Sequence, residues 1–570
     1  MLELSDDPAT ADRQMHAVIF YLTTFGHIDG EFDLSEKLFV RNYIRRLVEH
    51  RVKTGASKLS AAAQTELVEK FTAHFHHVLE AIDKEVEELF GEAVAHDEDS
   101  EQFVQSRLKL RCFEAFQQFD RAGQEALMET IDELLMADGE VHPAEIKFRA
   151  ELASLLEADL GVELVEDEPA AHTRVHAPAV LSSEAAVHPF FDQFEHDYAV
   201  DPELMNRQLS ADRQAMVRTL AVLAEWRAKG AGKLVGRRSL AELPGQDLFL
   251  DGHIWALPAK PGRRYEFTVL GDLHGCYSCL KAAIMQSRFF ERVRLWKQAP
   301  DAHPEPKLIL LGDYIDRGIF SLNGVLRTAL LLFCTAPEHV IVLRGNHEYF
   351  VEFEGDVLGG VRPSEAIEAL KQRASLDVVR EYLRLFEALP NVFLFDRTIF
   401  VHGGVPRDRS QRENLRDLAS LNHPDLRFEM MWGDPSAADV VPLSLQDQST
   451  RFAFGRLQLL QFLRRIGCNT MIRGHEKVVE GFRADYQGSD SLLVTLFSSG
   501  GRENNDLPPR SAYRAVTPMA LTLTHEAGQT QITPWVIDYA PYNDPKRNAF
   551  FREAEQREGD VGLSGGNTTP

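Results

Sequence analysis

Three short apolar runs, each ending in glycine and a cluster of polar side chains, constrain the fold of this chain more than any other feature. They read FTVLGDLHG from Phe267, LILLGDYIDRG from Leu308 and VIVLRGNHEYF from Val340. Continuous β-branched runs are typical of strands buried on both faces, in sheets that helices cover. Side chains just past the ends of such strands converge on one crevice, where buried Asp, Asn or His needs a partner. The pattern therefore predicts a layered sheet with a polar site at one edge.

Later segments extend this polar site. TIFVHGG, MWGDP and TMIRGHE are also predicted to lie at strand ends, and they supply His402, Asp434 and His475. With the earlier runs they yield a candidate ligand set, namely Asp272, His274, Asp313, Asn346, His402 and His475. Oxygen and nitrogen donors of this kind suit Mn²⁺, Fe²⁺ or Zn²⁺ rather than a thiolate cluster. Six ligands are too many for one catalytic metal with open positions, and they fit two metals that share a carboxylate.

The motifs GDLHG (Gly271–Gly275), GDYIDRG (Gly312–Gly318) and GNHE (Gly345–Glu348) resemble the GDxHG, GDxxDRG and GNHE signatures of the phosphoprotein phosphatase (PPP) family of metallophosphoesterases. The resemblance covers residues 265 to about 500. It implies a β-sandwich with helices outside and metals at the strand ends. By motif, the first metal would be held by Asp272, His274 and Asp313, with Asp313 as the bridge, and the second would be completed by Asn346, His402 and His475.

The resemblance also implies the chemistry of the site. His347 takes the place of the general acid, Asp316 orients it, and Arg317 binds a phosphate oxygen. Arg451, in STRFAFG, is a candidate for a second phosphate-binding arginine, although a surface arginine is equally consistent with its position. Asp434 resembles an aspartate that supports the site. The expected activity is that of a serine/threonine protein phosphatase, which hydrolyses phosphomonoesters with a hydroxide held by two divalent ions, Mn²⁺ foremost and Fe or Zn as alternatives.

One part of the chain departs from that family pattern. After LLVTLFSS the chain reads GGRENNDLPPRSAYRAV, where eukaryotic members have a Pro-Asn-Tyr segment, so no tyrosine aligns and the pattern resembles bacterial members. Two other functions stay open: hydrolysis of another phosphoester, such as a dinucleoside polyphosphate, and a non-catalytic scaffold in stress signalling. Glu348 in GNHE, where other phosphoesterases have GNHD, favours the protein phosphatases, and Glu348 is expected to support the site.

The N-terminal part has a different pattern. Residues 1–160 are rich in helix formers, and an apolar stripe runs from Leu34 to Val48 at helical spacing. A weak internal repeat relates HIDGEFDLSEKLF (His27–Phe39) to MADGEVHPAEIKF (Met136–Phe148) and resembles the TerB-like helical domain. The shared Asp-Gly-Glu is interpreted as a turn between helices, because its spacing is not that of an EF-hand loop. A divalent-cation site is the alternative.

These patterns together predict an α+β fold of the layered α/β type, in which a metallophosphoesterase sandwich flanked by helices follows an all-α domain. The predicted divisions are an all-α TerB-like domain over 1–160, a linker over 161–189, a helical connecting segment over 190–250, the catalytic domain over 251–542 and a tail over 543–570.

Composition excludes some classes of protein. The 570 residues carry a formal net charge of −25, which disfavours non-specific binding to nucleic acid or anionic membranes. The acidic N-terminus is not a secretory signal, and no apolar run is long enough to span a bilayer. Five cysteines do not make a disulfide framework, so a cytoplasmic location is expected, with Cys276 and Cys279 in the first turn of a helix. Expected partners are a phosphoprotein substrate and a protein bound by the N-terminal helices.

Overall fold

The structure is a computed structural model. It describes residues 2–27, 32, 34–57, 59–89, 94–95, 98–117, 119–135, 143–157, 173–182, 188–199, 201–486 and 491–552. The first unit comprises Met1–Leu164 and Pro435–Arg456, and the second comprises Val165–Asp434 and Leu457–Pro570.

Helices occupy most of the first unit and flank the sheets of the second. In chain order they are α1 (Pro8–Gly26), α2 (Leu34–Gly55), α3 (Ala61–Leu89), α4 (Ser100–Phe116), α5 (Arg121–Leu135), α6 (Pro143–Glu157), α7 (Pro202–Gly230), α8 (Tyr277–Gln286), α9 (Phe289–Gln298), α10 (Arg327–Thr335), α11 (Glu365–Lys371), α12 (Leu376–Ala388), α13 (Asp408–Asn414), α14 (Pro424–Glu429), α15 (Leu443–Gln446) and α16 (Arg456–Arg465). A π-helical turn (Ser321–Leu326) precedes α10. Short 3₁₀ helices are Pro189–Gln193, Leu240–Glu242, Leu418–Asn422, Ala512–Ala515, Ala540–Asn543 and Ala549–Phe551.

The strands lie mainly in the second unit. In chain order they are β1 (Val94–Ala95), β2 (Thr173–Val175), β3 (Phe249–Asp251), β4 (Ile254–Leu257), β5 (Tyr265–Leu270), β6 (Glu305–Leu310), β7 (Val340–Val342), β8 (Phe350–Phe353), β9 (Asp356–Gly359), β10 (Val361–Arg362), β11 (Val392–Phe395), β12 (Thr398–Val401), β13 (Asp434–Pro435), β14 (Ala453–Phe454), β15 (Thr470–Arg473), β16 (Phe482–Asp485), β17 (Leu492–Leu496), β18 (Met519–Glu526) and β19 (Gln529–Val536).

The first unit is a helical bundle with its own core. Tyr43, Ile44, Leu47 and Val48 on α2 are buried, because residues three to four apart share one face of a helix. Leu34 is 74% exposed, so the buried stripe begins later than the sequence predicts. The aromatic rings of α1 pack on α4 within this core.

Segment 435–456 also belongs to the first unit, although it follows Asp434 and precedes α16. Ala438, Val441, Leu445 and Ala453 are buried in the helical core. The Glu114 carboxylate of α4 accepts a hydrogen bond from the backbone N–H of Ala437 at 3.0 Å. In the sequence this segment lies inside the predicted catalytic domain, residues 251–542, and no local pattern distinguishes it from the rest of that domain.

Two sheets form the frame of the second unit. The six-stranded sheet has the order β2-β19-β18-β5-β6-β7, and the seven-stranded sheet has the order β16-β17-β15-β12-β11-β4-β3. β5, β6 and β7 are parallel neighbours, in a register that pairs Leu270 with Leu310 and Leu310 with Val342. β12, β15 and β17 are likewise parallel. Parallel neighbours end at the same edge of a sheet, so each sheet brings several strand ends together.

The core of the second unit lies between these sheets. The rings of Phe267 on β5 and Phe395 on β11 are 4.6 Å apart, and both side chains are buried. Helix α7 joins the same core through Leu209, Met216 and Leu223. The predicted α+β sandwich preceded by a helical region is confirmed, as is the buried strand in VIVL, where every residue is enclosed.

Two further sequence expectations concern cysteines and membranes. Cys276 and Cys279 flank the start of α8, and both are buried free thiols. Within the described part of the chain, helices that combine the length and apolarity needed to cross a membrane are absent.

Candidate metal centre

The candidate ligands lie where strands of both sheets end. Asp272, Asp313 and Asn346 follow β5, β6 and β7 in the six-stranded sheet, whereas His402 and His475 follow β12 and β15 in the seven-stranded sheet. All six ligand candidates belong to the second unit and are buried. The parallel arrangement in each sheet therefore explains why residues up to 203 positions apart in sequence meet in one place.

The backbone at this edge adopts strained conformations. Positive φ angles occur at His274 (41°), Asp313 (53°), Asp316 (68°), Arg317 (66°) and His475 (69°). Non-glycine residues with such angles each cost of the order of 1 kcal/mol and cluster at functional sites. The fold here stabilises a side-chain arrangement that the local sequence alone disfavours.

His274 directs an unprotonated nitrogen at two carboxylates. Its Nδ1 lies 3.0 Å from the carbonyl oxygen of Ile315, which can only accept, so Nδ1 carries the proton. Its Nε2 then presents a lone pair 3.7 Å from Oδ2 of Asp272 and 3.5 Å from Oδ2 of Asp313. Lone pairs that converge in this way repel one another unless a cation lies between them.

A second convergence involves the other oxygen of Asp313. Nε2 of His402 lies 3.3 Å from Oδ1 of Asp313 and 3.0 Å from Oδ1 of Asn346, and Nδ1 of His475 lies 3.2 Å from the same amide oxygen. The carbonyl of Leu311 accepts from Nδ1 of His402 at 3.2 Å, which leaves Nε2 unprotonated. Asp313 thus offers one oxygen to each group, as a bridging ligand does.

The amide of Asn346 shows how strongly this second group favours a positive partner. If the side-chain amide were rotated by 180°, so that its oxygen and nitrogen exchanged places, its NH₂ group would donate to Asp313, His402 and His475 within 3.2 Å. In the orientation with the oxygen inward, a cation would have to supply that positive charge instead. Either way, the surrounding atoms are acceptors.

Burial opposes charge on these groups. Burial raises the pKa of Asp272 to about 7, and Oδ2 of Asp272 has no hydrogen-bond partner among the described residues. Burial also lowers the pKa of His274 and of His402, which keeps both imidazoles neutral and able to ligate. The groups His274–Asp313–His347 and Asp313–His402–His475 each place ligand atoms within 4.8 Å of one another. This donor set fits divalent cations bound by nitrogen and oxygen.

His347 and Asp316 form a buried pair beside the ligands. Nδ1 of His347 lies 2.6 Å from Oδ2 of Asp316, and Oδ1 of Asp316 accepts the N–H of Ala366 at 2.7 Å. Burial raises the pKa of Asp316 to about 6. Nε2 of His347 lies 3.9 Å from Oδ2 of Asp313, so the imidazole connects the Asp316 carboxylate to the ligand cluster.

Glu348 holds the backbone that carries Asp313. Its carboxylate accepts the N–H groups of Asp313 and Tyr314, each at 2.8 Å, and that of Gly345 at 3.0 Å. The side chain is fully buried. Glu348 therefore joins the loop after β6 to the loop after β7.

Asp434 acts on the centre through a buried arginine. Nη2 of Arg473 donates to Oδ1 of Asp434 at 2.8 Å, and Nε donates to the carbonyl of Gly403 at 2.6 Å. Nε2 of His475 lies 3.9 Å from the same Asp434 oxygen. The prediction that Asp434 follows a strand is wrong, because α14 ends at Glu429 and Asp434 opens the two-residue strand β13.

Tyr513 lies beside the cluster and contacts Arg317. The Tyr513 ring centre is 5.3 Å from that of His274, and its hydroxyl interacts with the Arg317 guanidinium. Burial raises the pKa of Tyr513 above its ordinary value. Alignment by motif missed this residue, and the one available signal was its place as the single tyrosine of GGRENNDLPPRSAYRAV.

Arg451 lies in the first unit, on segment 435–456, whereas the other candidate residues lie in the second. There it lines a small cavity with Ser106, Arg107 and Ser449, and its N–H donates to Oγ of Ser449 at 3.1 Å. Its role in binding phosphate stays a prediction.

The Asp-Gly-Glu repeats, Asp29–Glu31 and Asp138–Glu140, lie outside the described residues. Their interpretation as helix turns therefore also stays a prediction.

Comparison with known proteins identifies the domain that carries the centre. Residues 265–478 match the family model for the calcineurin-like phosphoesterases. The serine/threonine-protein phosphatase 4 catalytic subunit of Saccharomyces cerevisiae is 28% identical over 239 residues, which cover 41% of this chain and 68% of the relative. The same subunit from Eremothecium gossypii is 28% identical over 291 residues, 50% of this chain and 81% of the relative.

A solved structure is also similar. It is a protein serine/threonine phosphatase from Saccharomyces cerevisiae with similarity to human phosphatase PP5, at a TM-score of 0.35 and 18% identity, covering 57% of this chain and 89% of that chain. Residues 265–478 thus match the calcineurin-like phosphoesterases, and the similarity to the two curated relatives supports a phosphatase-like hydrolase.

Proposed function

We propose that this protein is a metal-dependent serine/threonine protein phosphatase that hydrolyses phosphomonoesters. One observation carries the proposal: two groups of neutral imidazoles and carboxylate or amide oxygens converge on opposite oxygens of Asp313, next to the His347–Asp316 pair. The named relatives are serine/threonine phosphatases, which supports the choice of substrate class.

The proposed ligands are those predicted from the motifs. Asp272, His274 and Asp313 would hold one ion, and Asp313, Asn346, His402 and His475 would hold the other. Two divalent ions in these positions would supply Lewis-acid stabilisation of the phosphoryl oxygens and would lower the pKa of an attacking water. Mn²⁺ is the first choice for this set of nitrogen and oxygen ligands, with Fe and Zn as alternatives.

The protein's own residues supply the remaining chemistry. Asp316 accepts a hydrogen bond from Nδ1 of His347 and so orients Nε2 toward the cluster. We assign Nε2 the proton that is donated to the leaving serine or threonine oxygen, which is too basic to leave as an alkoxide. Arg317 would bind a phosphoryl oxygen through its guanidinium, since planar N–H groups match phosphate geometry.

We also propose roles for the rest of the chain. The helical first unit would be a TerB-like module that binds a protein partner, residues 161–189 a linker, 190–250 a connecting segment, 251–542 the catalytic domain and 543–570 a tail. The acidic charge and the free buried cysteines support a cytoplasmic site of action. The proposed partner role of the first unit is tested by co-purification of a partner with the protein when residues 1–160 are present and when they are deleted.

The activity is tested by Mn²⁺-dependent phosphate release from a phosphoserine peptide, a phosphotyrosine peptide and a dinucleoside polyphosphate. We expect the phosphoserine peptide to be hydrolysed. His347→Asn should lose about 10²–10³-fold in kcat, which is typical for removal of a general acid, while it keeps its metal. His525→Asn is a matched control, because His525 is a buried histidine that bonds Thr530 away from the centre. Cleavage of the nucleotide alone, or full metal loading without turnover, would contradict the proposal.

A further inference from the structure

Arg317 already has an anionic partner, the carboxylate of Glu365. Nη1 of Arg317 lies 2.9 Å from both Oε1 and Oε2 of Glu365. Both carboxylate oxygens contact one guanidinium nitrogen, and a phosphoryl oxygen would make the same charge-assisted hydrogen bond to it. A phosphate approaching Arg317 therefore meets a competitor of similar chemistry.

The solvent exposure of Glu365 allows its carboxylate to leave this contact. Its side chain is 51% exposed, whereas that of Arg317 is 15% exposed. A half-exposed carboxylate can turn into water while a phosphoryl group takes its place on the less exposed Arg317, and ion pairs with one exposed partner are weak. Displacement of Glu365 by a substrate is thus inexpensive.

Arg317 is also held by groups other than Glu365. Its Nη1 donates to the carbonyl oxygen of Pro363 at 3.1 Å. The adjacent Asp316 is fixed by the N–H of Ala366 at 2.7 Å. Burial disfavours the charged form of Arg317, but Tyr513, Glu365 and Asp316 together raise its pKa. These contacts would remain if Glu365 lost its charge, so Glu365 is not needed to hold Arg317 in position.

We propose that Glu365 competes with the substrate's phosphoryl group for Arg317 and thereby sets the affinity of the site for phosphoryl groups. The displacement of Glu365 costs the same free energy for every ligand that takes its place, so the competition lowers the affinity for monoesters and diesters by the same factor. The inference rests on the proposed function, because it assigns Arg317 to the phosphoryl group.

The test compares wild type, Glu365→Gln and Glu368→Gln as full-length, Mn²⁺-loaded proteins. Glutamine keeps the shape and one acceptor oxygen of Glu365 but removes its charge. Glu368 lies one turn further along α11, is 61% exposed and pairs with Lys371 at 3.7 Å, so its substitution controls for the general loss of negative charge. Calorimetry measures the Kd of inorganic phosphate, and kinetics measure kcat and KM for p-nitrophenyl phosphate and bis-p-nitrophenyl phosphate.

We expect Glu365→Gln to lower the phosphate Kd and the monoester KM about fivefold, the effect of removing one exposed ion pair of about 1 kcal/mol, with kcat within about twofold of wild type. The diester KM should fall by a similar factor, because the cost of displacing Glu365 is the same for both esters. Glu368→Gln should leave all constants near wild type.

Several results would overturn the inference. A higher phosphate Kd or a lower kcat in Glu365→Gln would show that Glu365 supports Arg317 rather than competing for it. An equal fall of the phosphate Kd and of KM in Glu365→Gln and Glu368→Gln would show that the loss of any nearby negative charge has this effect. If metal-loaded wild type neither binds phosphate nor hydrolyses any ester, the proposed function itself is overturned. If wild type binds phosphate and Glu365→Gln binds it with the same Kd, this inference alone is overturned.

Discussion

At the residue scale, the centre depends on small residues as much as on ligands. A Cβ atom added to Gly345 would lie 2.2 Å from Oδ1 and 2.4 Å from the backbone nitrogen of Asp313. A Cβ added to Gly474 would lie 2.2 Å from Oδ1 of Asp272. Real side chains do not approach so closely, so both glycines are required by the nearness of neighbouring ligand carboxylates rather than by an unusual φ angle.

Gly345→Ala should therefore displace Asp313 and disable the centre. We expect loss of bound Mn²⁺ and a fall in kcat of at least about 10²-fold, the cost of a misplacement of about 1 Å in a reacting site. Metal analysis and kinetics measure both. Gly55→Ala is the control, because a Cβ at Gly55 would have no atom within 4 Å. A Gly345→Ala protein with full metal content would show that Asp313 is not a shared ligand.

At the element scale, helix α8 couples the centre to the segment after β17. Ser278, in the first turn of α8, donates its N–H to Oδ2 of Asp506 at 2.5 Å and its hydroxyl to Oδ1 at 3.1 Å. The carbonyl of Asp506 accepts the N–H of Ile319 at 2.9 Å, just past Arg317. Asp506, in the segment that leads to Tyr513, thus contacts the start of α8 through its buried carboxylate and the loop after β6 through its backbone carbonyl.

This carboxylate should make stability depend on pH. Burial raises the pKa of Asp506 from its usual value near 4 to about 7. The folded protein then holds a proton that the unfolded chain releases between about pH 4 and 7, so the unfolding free energy falls as pH rises through that window. The full effect is a few kcal/mol, since each pKa unit corresponds to about 1.4 kcal/mol.

Asp506→Asn keeps an oxygen acceptor for Ser278 and removes the titration. We expect urea unfolding of wild type to show lower stability at pH 8 than at pH 5, and the variant to lose much of that difference. Comparison of the two proteins isolates Asp506 from other titrating groups. Equal pH dependence in both would contradict the assignment.

At the scale of the whole molecule, the two units are not consecutive stretches of sequence. Segment 435–456 leaves the second unit directly after Asp434 and buries Val441 and Leu445 in the helical core. Each such side chain stabilises the folded state by about 1.5–3 kcal/mol when it is fully removed from water. The helical unit therefore supplies the hydrophobic surroundings that this segment requires.

A chain truncated to begin at Thr173 should expose that segment. We expect rapid protease cleavage within residues 435–456, located by mass spectrometry, and lower solubility than the full-length protein. Replacing residues 437–454 by a short Gly-Ser linker in the truncated chain should restore solubility, because the apolar side chains are then gone. Equal protease resistance of the full-length and truncated chains would show that the segment does not depend on the helices.

Local sequence patterns are sufficient to predict the strands and the ligand candidates of this protein. Apolar runs such as Val340–Leu343 specify buried strands, and the polar residues that follow at glycine turns supply the ligand candidates in order. Parallel strands then bring Asp272, Asp313 and Asn346 together without further information, because their ends share one edge.

The distant residues that surround these ligand candidates become visible only in the folded chain. Tyr513 reaches His274 from a segment without periodicity, Glu365 meets Arg317 from a separate short helix, and segment 435–456 joins the helical core. Such contacts depend on how whole elements pack and not on the residues next to them in sequence. A tyrosine, a glutamate or an apolar loop has the same local pattern wherever it packs, so its partner becomes visible only in the folded molecule.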